Sequence, residues 1–387
     1  MEKIFGNHYS VQLEDYTSPA VSENKRKGWV EYGDDNNYFQ HLVDTYNSSP
    51  TNNACIRGIA DLIYGDGLVP RKADRNIEAY LKLKQLFSED CIRKTSFDLK
   101  LYGQFAWQIV YAKNGKDIVQ VNHWPIQTLR PEIANEDGKI ENYFYCSDWT
   151  KANEPDFTPE PYPAYGSGNK KIEYYVCGLY SPNMFYFYNP DYLGALQYAE
   201  LEAEIANYHL NNIKQGFSAT TLVNFNNGVP DEDKQDELES AVHNKLTGTN
   251  GKRVIVSFND DAETATQVET FEISNASEQY QFLSDESRKK VMVGHRVTSP
   301  RILGINDGGG LGNNADEIVV AFQLFENIVI RPYQKLIIGS CDMILNSMGL
   351  DIDLKFKSLE PVEFKDSKAS TENVEMKAVQ MSSKDCG

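Results

Sequence analysis

The sequence predicts an α+β protein with more than one folded unit, on three observations. Residues 104–188 hold short runs rich in Val, Ile, Tyr and Phe, parted by Gly, Pro, Asn and Asp, which is the pattern of an antiparallel sheet with turns. Outside that stretch, apolar residues recur at steps of three and four over long spans, as helices require. The chain of 387 residues is long enough for two or three folded units. Its composition, 41% hydrophobic and 24% charged, excludes a disordered polymer, a collagen-like chain and a disulfide scaffold.

The first elements are read in chain order. Residues 1–35 are polar and turn-rich and predict an arm or edge segment. Phe39, Leu42, Val43 and Tyr46, then Cys55, Ile56, Ile59 and Ile63, predict two helices broken at Ser48-Ser49-Pro50, the second ending at Gly65-Asp66-Gly67. One further helix is expected over residues 76–101. Strands are expected over 104–112, 116–122, 142–146, 171–179 and 183–188, with the Pro/Ser/Gly-rich residues 154–168 as a surface loop. Together, residues 36–188 form one α+β body.

The character then changes. Asn189-Pro190 supplies a capping side chain and a proline suited to the first helical position. Leu193, Leu196, Ala199, Ala203, Ala206, Leu210, Ile213 and Phe217 follow as one stripe, with Tyr198, Leu201, Ile205 and Tyr208 on another face. Such a helix is about 27 residues and roughly 40 Å long. Two apolar faces need partners on both sides, a need met most simply when the helix sits between copies of itself in a ring.

A small αβ insert follows: a strand at 221–225, a turn at Asn226-Asn227-Gly228, a helix at 231–246, and strands at 254–258 and 267–273. A return helix is expected over 277–296. Residues 298–314 hold five glycines, Gly304, Gly308, Gly309, Gly310 and Gly312, and read as a connector that is mobile by composition. A third long helix, 315–348, should kink at Pro332, and Gly349 should stop it. An edge strand at 351–356 and a polar tail complete the chain.

Charge and motifs narrow the chemistry. Lys and Arg number 38 against 56 Asp and Glu, a net charge of −18, which argues against a chain that wraps nucleic acid with a basic face. It is compatible with one through which nucleic acid moves without sticking. No run approaches the roughly 18 to 20 apolar residues that span a bilayer, and Met1-Glu2-Lys3-Ile4 lacks a signal-peptide core, so a soluble chain made in the cytoplasm, with no membrane partner, is expected. The six cysteines form no CxxC pair and are read as reduced thiols.

The glycine run fits neither a P-loop, for want of Gly-Lys-Ser/Thr, nor a dinucleotide fingerprint, because Asn313 stands at the third glycine. It fits no calcium loop either, because glycines stand where oxygen ligands belong. The six histidines are scattered, and no GxSxG appears. No cofactor, metal or enzymatic activity is therefore expected, the alternative from a different class being a cytosolic phosphate-ligand-binding enzyme that uses the glycine-rich loop. Arg288, Lys289, Lys290, His295, Arg296 and Arg301 form a basic cluster that is either a solvated helix face paired to acids or a phosphate-facing stripe.

The order of parts resembles the portal proteins of tailed bacteriophages over roughly residues 36–360. The local pieces that carry the resemblance are Met184-Phe185-Tyr186-Phe187 leading into Asn189-Pro190, the helix end Asn212-Ile213-Lys214-Gln215-Gly216-Phe217-Ser218, residues 297–304 (VTSPRILG), and Arg331-Pro332. The resemblance implies a portal fold with a wing (36–188), a two-helix stem (189–217 and 276–297), a small αβ clip (218–275), a tunnel loop (298–314) and a long kinked helix (315–349). Residues 350–387 would supply a wing-associated strand and a tail too short for a large crown.

It further implies a virion protein forming a ring of about twelve subunits at one capsid vertex, a conduit for packaging and ejecting double-stranded DNA. Its partners would be itself, that DNA without sequence preference, the major capsid protein, the terminase large subunit and a head-to-tail adaptor. The narrowest point would be lined by Ile305, Asn306, Asp307, Gly308, Gly309, Gly310, Leu311, Gly312, Asn313 and Asn314. Some of Arg288, Lys290, Arg296 and Arg301 would face the lumen or the neighbouring subunit. Asn226, Asn227, Asp231, Lys234, Lys252 and Arg253 would form the docking surface of the clip. A portal of a domesticated prophage or gene transfer agent would read the same way.

Overall fold

Two short strands open the described chain, where the sequence predicts an arm or edge segment. In the computed structural model, the described residues are 19–71, 77–168, 171–214, 221–226, 228–246, 254–259, 276–305 and 315–359. Strands β1 (Val21–Asn24) and β2 (Trp29–Tyr32) pair antiparallel, Val21 opposite Tyr32. Trp29 packs against Trp149 and Phe144, each at 5.5 Å between ring centroids. Four-residue strands carry too few alternations to be read as strands, and the aromatic partners of Trp29 come from more than a hundred residues away.

Helices α1 (Tyr38–Ser48) and α2 (Pro50–Tyr64) break at Ser49 as expected. After β3 (Leu68–Pro70), the single helix predicted over 76–101 is two, α3 (Ile77–Leu86) and α4 (Glu89–Tyr102). Ser88 makes the break by capping α4, its side chain accepting a hydrogen bond from the Cys91 N–H at 3.1 Å.

Strands β4 (Gln104–Tyr111), β5 (Ile118–Trp124), β6 (Leu129–Pro131), β7 (Asn142–Tyr145), β8 (Glu160–Pro163) and β9 (Ile172–Gly178) form two antiparallel sheets, ordered β5-β4-β9 and β6-β7-β8. Strand β8 lies inside the predicted surface loop; its two prolines suit an edge position, where missing N–H donors do no harm. The strand expected over 183–188 does not form. Asn183 has φ +60°, and Phe187 instead stacks on Tyr32 at 4.2 Å.

The long helix also starts later than its capping signal suggests. A 3₁₀ turn, Leu193–Ala195, precedes α5 (Leu196–Lys214), because Asn189 accepts from the Tyr32 hydroxyl at 2.7 Å and Asp191 is held by two cations. Next come β10 (Thr221–Phe225), α6 (Glu232–Leu246) and β11 (Val254–Phe258), a βαβ unit whose strands pair in parallel. The strand expected over 267–273 lies outside the described residues. The return helix is α7 (Ala276–Gly294).

The third long helix is not continuous α-helix. It runs as α8 (Ala315–Phe325), a π-helical turn Glu326–Ile330, and α9 (Arg331–Ser347), before β12 (Leu354–Phe356) pairs antiparallel with β3. Pro332 sits in the first turn of α9 and has no N–H for the carbonyl four residues back. The wider π turn lies where that bond is lost.

The chain divides into two units: residues 1–43, 54–191 and 295–387 in the first, and residues 44–53 with 192–294 in the second. The core of the first unit is built on α9. Tyr333, Ile337, Cys341, Ile344 and Leu345 are buried against Ile59 and Ile63 of α2, Leu99 of α4, and Phe105, Trp107 and Ile109 of β4. Each such aliphatic side chain contributes about 1.5–3 kcal/mol by leaving water.

In the second unit α5 and α7 lie antiparallel. Tyr208 stacks on Tyr280 at 4.3 Å near one end, and Ala195 meets Gly294 near the other. Glu202 of α5 closes the start of α2, its carboxylate accepting from the Ser49 hydroxyl, the Thr51 hydroxyl at 2.6 Å and the Thr51 N–H at 3.1 Å. An anion there complements the positive end of the helix dipole.

Candidate functional site

The glycine-rich segment is anchored at its near described end. Of its expected lining residues, Ile305 alone is described; Asn306, Asp307, Gly308, Gly309, Gly310, Leu311, Gly312, Asn313 and Asn314 lie outside the described residues. On the near side, Pro300–Leu303 forms a 3₁₀ turn whose Pro300 carbonyl accepts from the Ile305 N–H at 3.1 Å. Leu303 presses on Gly58 of α2 so closely that a Cβ there would lie 2.8 Å from its Cδ2. On the far side α8 begins at Ala315, and the Thr298 hydroxyl donates to the Ala321 carbonyl at 3.2 Å. The described residues on the near side thus contact both α2 and α8.

Just before that segment lies a buried ionic knot. The chain leaves the first unit after Asp191 and re-enters it at His295. Asp191 accepts from Lys100 Nζ at 2.6 Å through one carboxylate oxygen and from Arg296 Nη2 at 2.6 Å through the other. Tyr333 adds its hydroxyl to the carboxylate, and Lys100 Nζ lies 3.5 Å from the same hydroxyl. Burial by itself would raise the Asp191 carboxyl; Lys100 and Arg296 overcome it and hold the group at about 2. Burial draws Lys100 below its ordinary range, and Asp191 opposes the shift. His295, fully buried beside them, is held neutral, first by burial and then by the positive charge of Lys100. Arg296 has a left-handed backbone, φ +58°, which an L-residue keeps only when its surroundings impose it.

The other basic candidates differ in kind. Arg288 lies 3.8 Å from Asp285 on its own helix, while Lys289 and Lys290 are exposed on α7. Arg301 is half-buried in the 3₁₀ turn. The six residues therefore do not form one stripe: His295 and Arg296 serve the ionic knot, and Lys289 and Lys290 face solvent.

Of the expected clip residues, Asn226, Asp231 and Lys234 are exposed around the βαβ unit, and Lys234 pairs with Asp231 at 3.6 Å. Asn227, Lys252 and Arg253 lie outside the described residues.

The fold also makes two pairings that spacing did not suggest. His123 Nε2 lies 2.7 Å from Asp98, from β5 to α4. With Cys91 nearby this has the outline of a Cys-His-Asp set, but burial pushes the Cys91 thiol up to about 12, and it faces the backbone of His123 rather than the ring. No thiolate is available there.

Arg130 is buried without a carboxylate. Its guanidinium donates to Asn36 Oδ1 and to the carbonyls of Asn36 (2.7 Å), Gln127 (3.0 Å) and Leu129 (2.9 Å), and it lies 4.8 Å from the Trp149 ring. Burial lowers it to about 9, so it remains a cation at neutral pH. The His123–Asp98 and Arg130–Asn36 pairings join residues 25 and 94 positions apart, and no local pattern announces them. Among the described residues no group of three or more His, Cys, Asp or Glu could hold a metal ion, and no helix is long and apolar enough to cross a membrane.

No protein-family model matches the chain, and no curated protein does. Solved structures do. A chain in the neck of an empty gene transfer agent particle, computed with C6 symmetry, has TM-score 0.55 and 12% identity, with 87% of each chain covered. A chain in the neck of the native particle, computed with C12 symmetry, has TM-score 0.52 and 12% identity, with 88% of each covered. The chain has the α+β fold of those particle-neck chains. In that fold the two antiparallel helices α5 and α7, the βαβ unit between them, the glycine-rich segment and the interrupted α8–α9 helix follow one another in the order that the sequence predicts. An HK97-family phage portal protein from Corynebacterium diphtheriae is more distant, at TM-score 0.45 and 12% identity over 81% of this chain and 93% of that one.

Proposed function

We propose that the protein is a non-enzymatic portal subunit: a ring-forming conduit at one vertex of a capsid, through which double-stranded DNA is packaged and ejected. The observation that carries this reading is the similarity, over 87% of both chains, to a chain of a particle neck. Residues 36–188 act as wing, α5 and α7 as stem, residues 218–275 as clip and 298–314 as tunnel loop. The clip docks the terminase large subunit during packaging and a head-to-tail adaptor afterwards, and the wing meets the major capsid protein.

The charge supports this role. A chain of net charge −18 with a glycine-rich polar segment offers DNA weak, replaceable contacts. A lumen that neutralised many phosphates would bind tightly and stall movement. Because the neck chains come from gene transfer agent particles, the protein of such a particle, rather than of a lytic phage, is the second reading. The two readings share one molecular role.

Negative-stain imaging of the purified protein with mass determination tests the proposal. Rings of about twelve copies around a DNA-wide opening are expected. A compact species without axial opening at every concentration would overturn it.

A further inference from the structure

A cleft in the first unit lies open between β3, α3 and the start of α4. Tyr64, Leu68, Tyr80, Phe87 and Ile92 line it, and it encloses about 450 Å³ counting the part open to solvent. Two neighbours of Tyr80 on α3, Ile77 and Leu81, are 67% and 62% exposed. They stand four residues apart and so share a face of the helix. A single exposed Leu needs no explanation, but two large apolar side chains bordering an apolar cleft form a patch that seeks cover. The acids at the rim are already paired, Asp66 with Lys357 and Glu89 with Lys84 at 3.5 Å. Arg93 lies 4.8 Å from the Tyr64 ring, is exposed, and makes no ion pair among the described residues.

The chain itself passes this cleft near the end of the described residues. The Lys357 carbonyl accepts from the Asp66 N–H at 2.8 Å, and the Lys357 N–H donates to the Gly67 carbonyl at 3.0 Å. Asp66 and Gly67 both line the cleft. Leu359, two residues on, is the last described residue and is 45% exposed. The sequence continues Glu360-Pro361-Val362-Glu363-Phe364. Proline biases the residue before it towards extended backbone, and in an extended run Glu360, Val362 and Phe364 share one face. Five such residues reach at most about 18 Å.

We propose that residues 360–364 dock in this cleft of their own chain, Val362 and Phe364 against Tyr64, Tyr80 and Leu81, and Glu360 towards Arg93. The match is apolar to apolar with one acid for the one cation left over beside the Tyr64 ring. A tether of a few residues holds a segment at about millimolar effective concentration, so the chain's own residues outcompete a second copy or a foreign protein carrying the same pattern. The docking concerns the first unit alone and does not rest on the ring-forming reading.

The test uses the full chain in a Cys386→Ser background, treated with a short bismaleimide. Gln85 is exposed on α3, and Lys365 follows the proposed anchor. In the Gln85→Cys/Lys365→Cys chain, a cross-link within one chain, read by peptide mass spectrometry, is expected at several times the yield of an Asp137→Cys/Lys365→Cys control, whose first cysteine lies on the turn between β6 and β7. Adding Val362→Ser with Phe364→Ser should lower the yield at least fivefold, with unchanged circular dichroism. A yield no higher than the control, or one that the two serines leave unchanged, would overturn the proposal. Gln85→Cys and Lys365→Cys chains are also prepared separately and mixed. A link between chains as efficient as the link within one would assign the cleft to a neighbour's residues 360–364 and overturn the same-chain docking.

Discussion

Helices α9 and α5 begin from the same kind of sequence and end in opposite situations. Both carry apolar residues at steps of three and four. On α9, Tyr333, Ile337, Cys341 and Ile344 are all buried within the first unit. On α5 the stripe is buried only as far as Ala203 and then lies open through Leu210 and Ile213. The spacing that makes a helix amphipathic states which face seeks cover, and says nothing of whether the same chain supplies it. In α9 the chain does; in α5 the distal half stays open.

If that contrast is right, substitutions in the first unit should lower stability and those on open faces of the second should lower assembly. The largest effect is expected at Asp191. Asp191→Asn strands Lys100 as a buried cation, and the loss of one partner of a buried pair costs about 3–5 kcal/mol. Chemical denaturation should show that loss.

The pH dependence follows from the same group. Its carboxyl is held at about 2 in the folded protein, below its unfolded value. The associated stability is therefore complete above roughly pH 4 and lost as pH falls towards about 2, and the melting temperature of Asp191→Asn should fall less steeply over that window. Equal slopes in the two proteins would show that the knot carries no net proton linkage.

Ile337→Ala removes buried methyl and methylene groups from the centre of α9 and should cost about 2–5 kcal/mol, read from the denaturation midpoint, without changing the mass of the assembled species at low temperature. A smaller loss, about 1–3 kcal/mol, is expected for Gly294→Ala, because the new Cβ would lie 2.3 Å from Ala195 Cβ and force α5 and α7 apart. The smallest change in stability belongs to Leu210→Ser, within about 0.5 kcal/mol for a surface position. Its effect should appear instead in the assembled fraction. A destabilisation as large as that of Ile337→Ala would mean that the distal half of α5 is already covered within the chain, and the contrast would be lost.

Long periodic elements were legible in the sequence because their signal is repeated many times. The break at Ser49-Pro50, the strands β4 and β9, the βαβ insert and the order of parts that resembles a portal all came from such repetition. The misreadings lie where a local signal was spent on a distant partner. Asn189 has the chemistry of a helix cap, yet accepts from Tyr32, and α5 starts seven residues later. The run at 183–188 is aromatic enough for a strand, yet Phe187 stacks on Tyr32. Ser88 divided a helix that periodicity alone runs straight through.

The candidate site divides in the same way. The glycine-rich segment and the basic cluster stand out in composition. That His295 and Arg296 belong to a knot with Lys100 and Asp191, while Lys289 and Lys290 remain in solvent, depends on pairings across 91 and 105 residues. By itself, the sequence determined the α+β class, the order of the elements and the acidic character, because hydrophobic periodicity, turn chemistry and charge are local or additive. Only the tertiary structure decided which cations are neutralised, where helices begin and which apolar faces stay open. Each of those is settled by a partner brought from far along the chain, and burial makes the pairing selective by raising the cost of leaving a charge or a polar group alone.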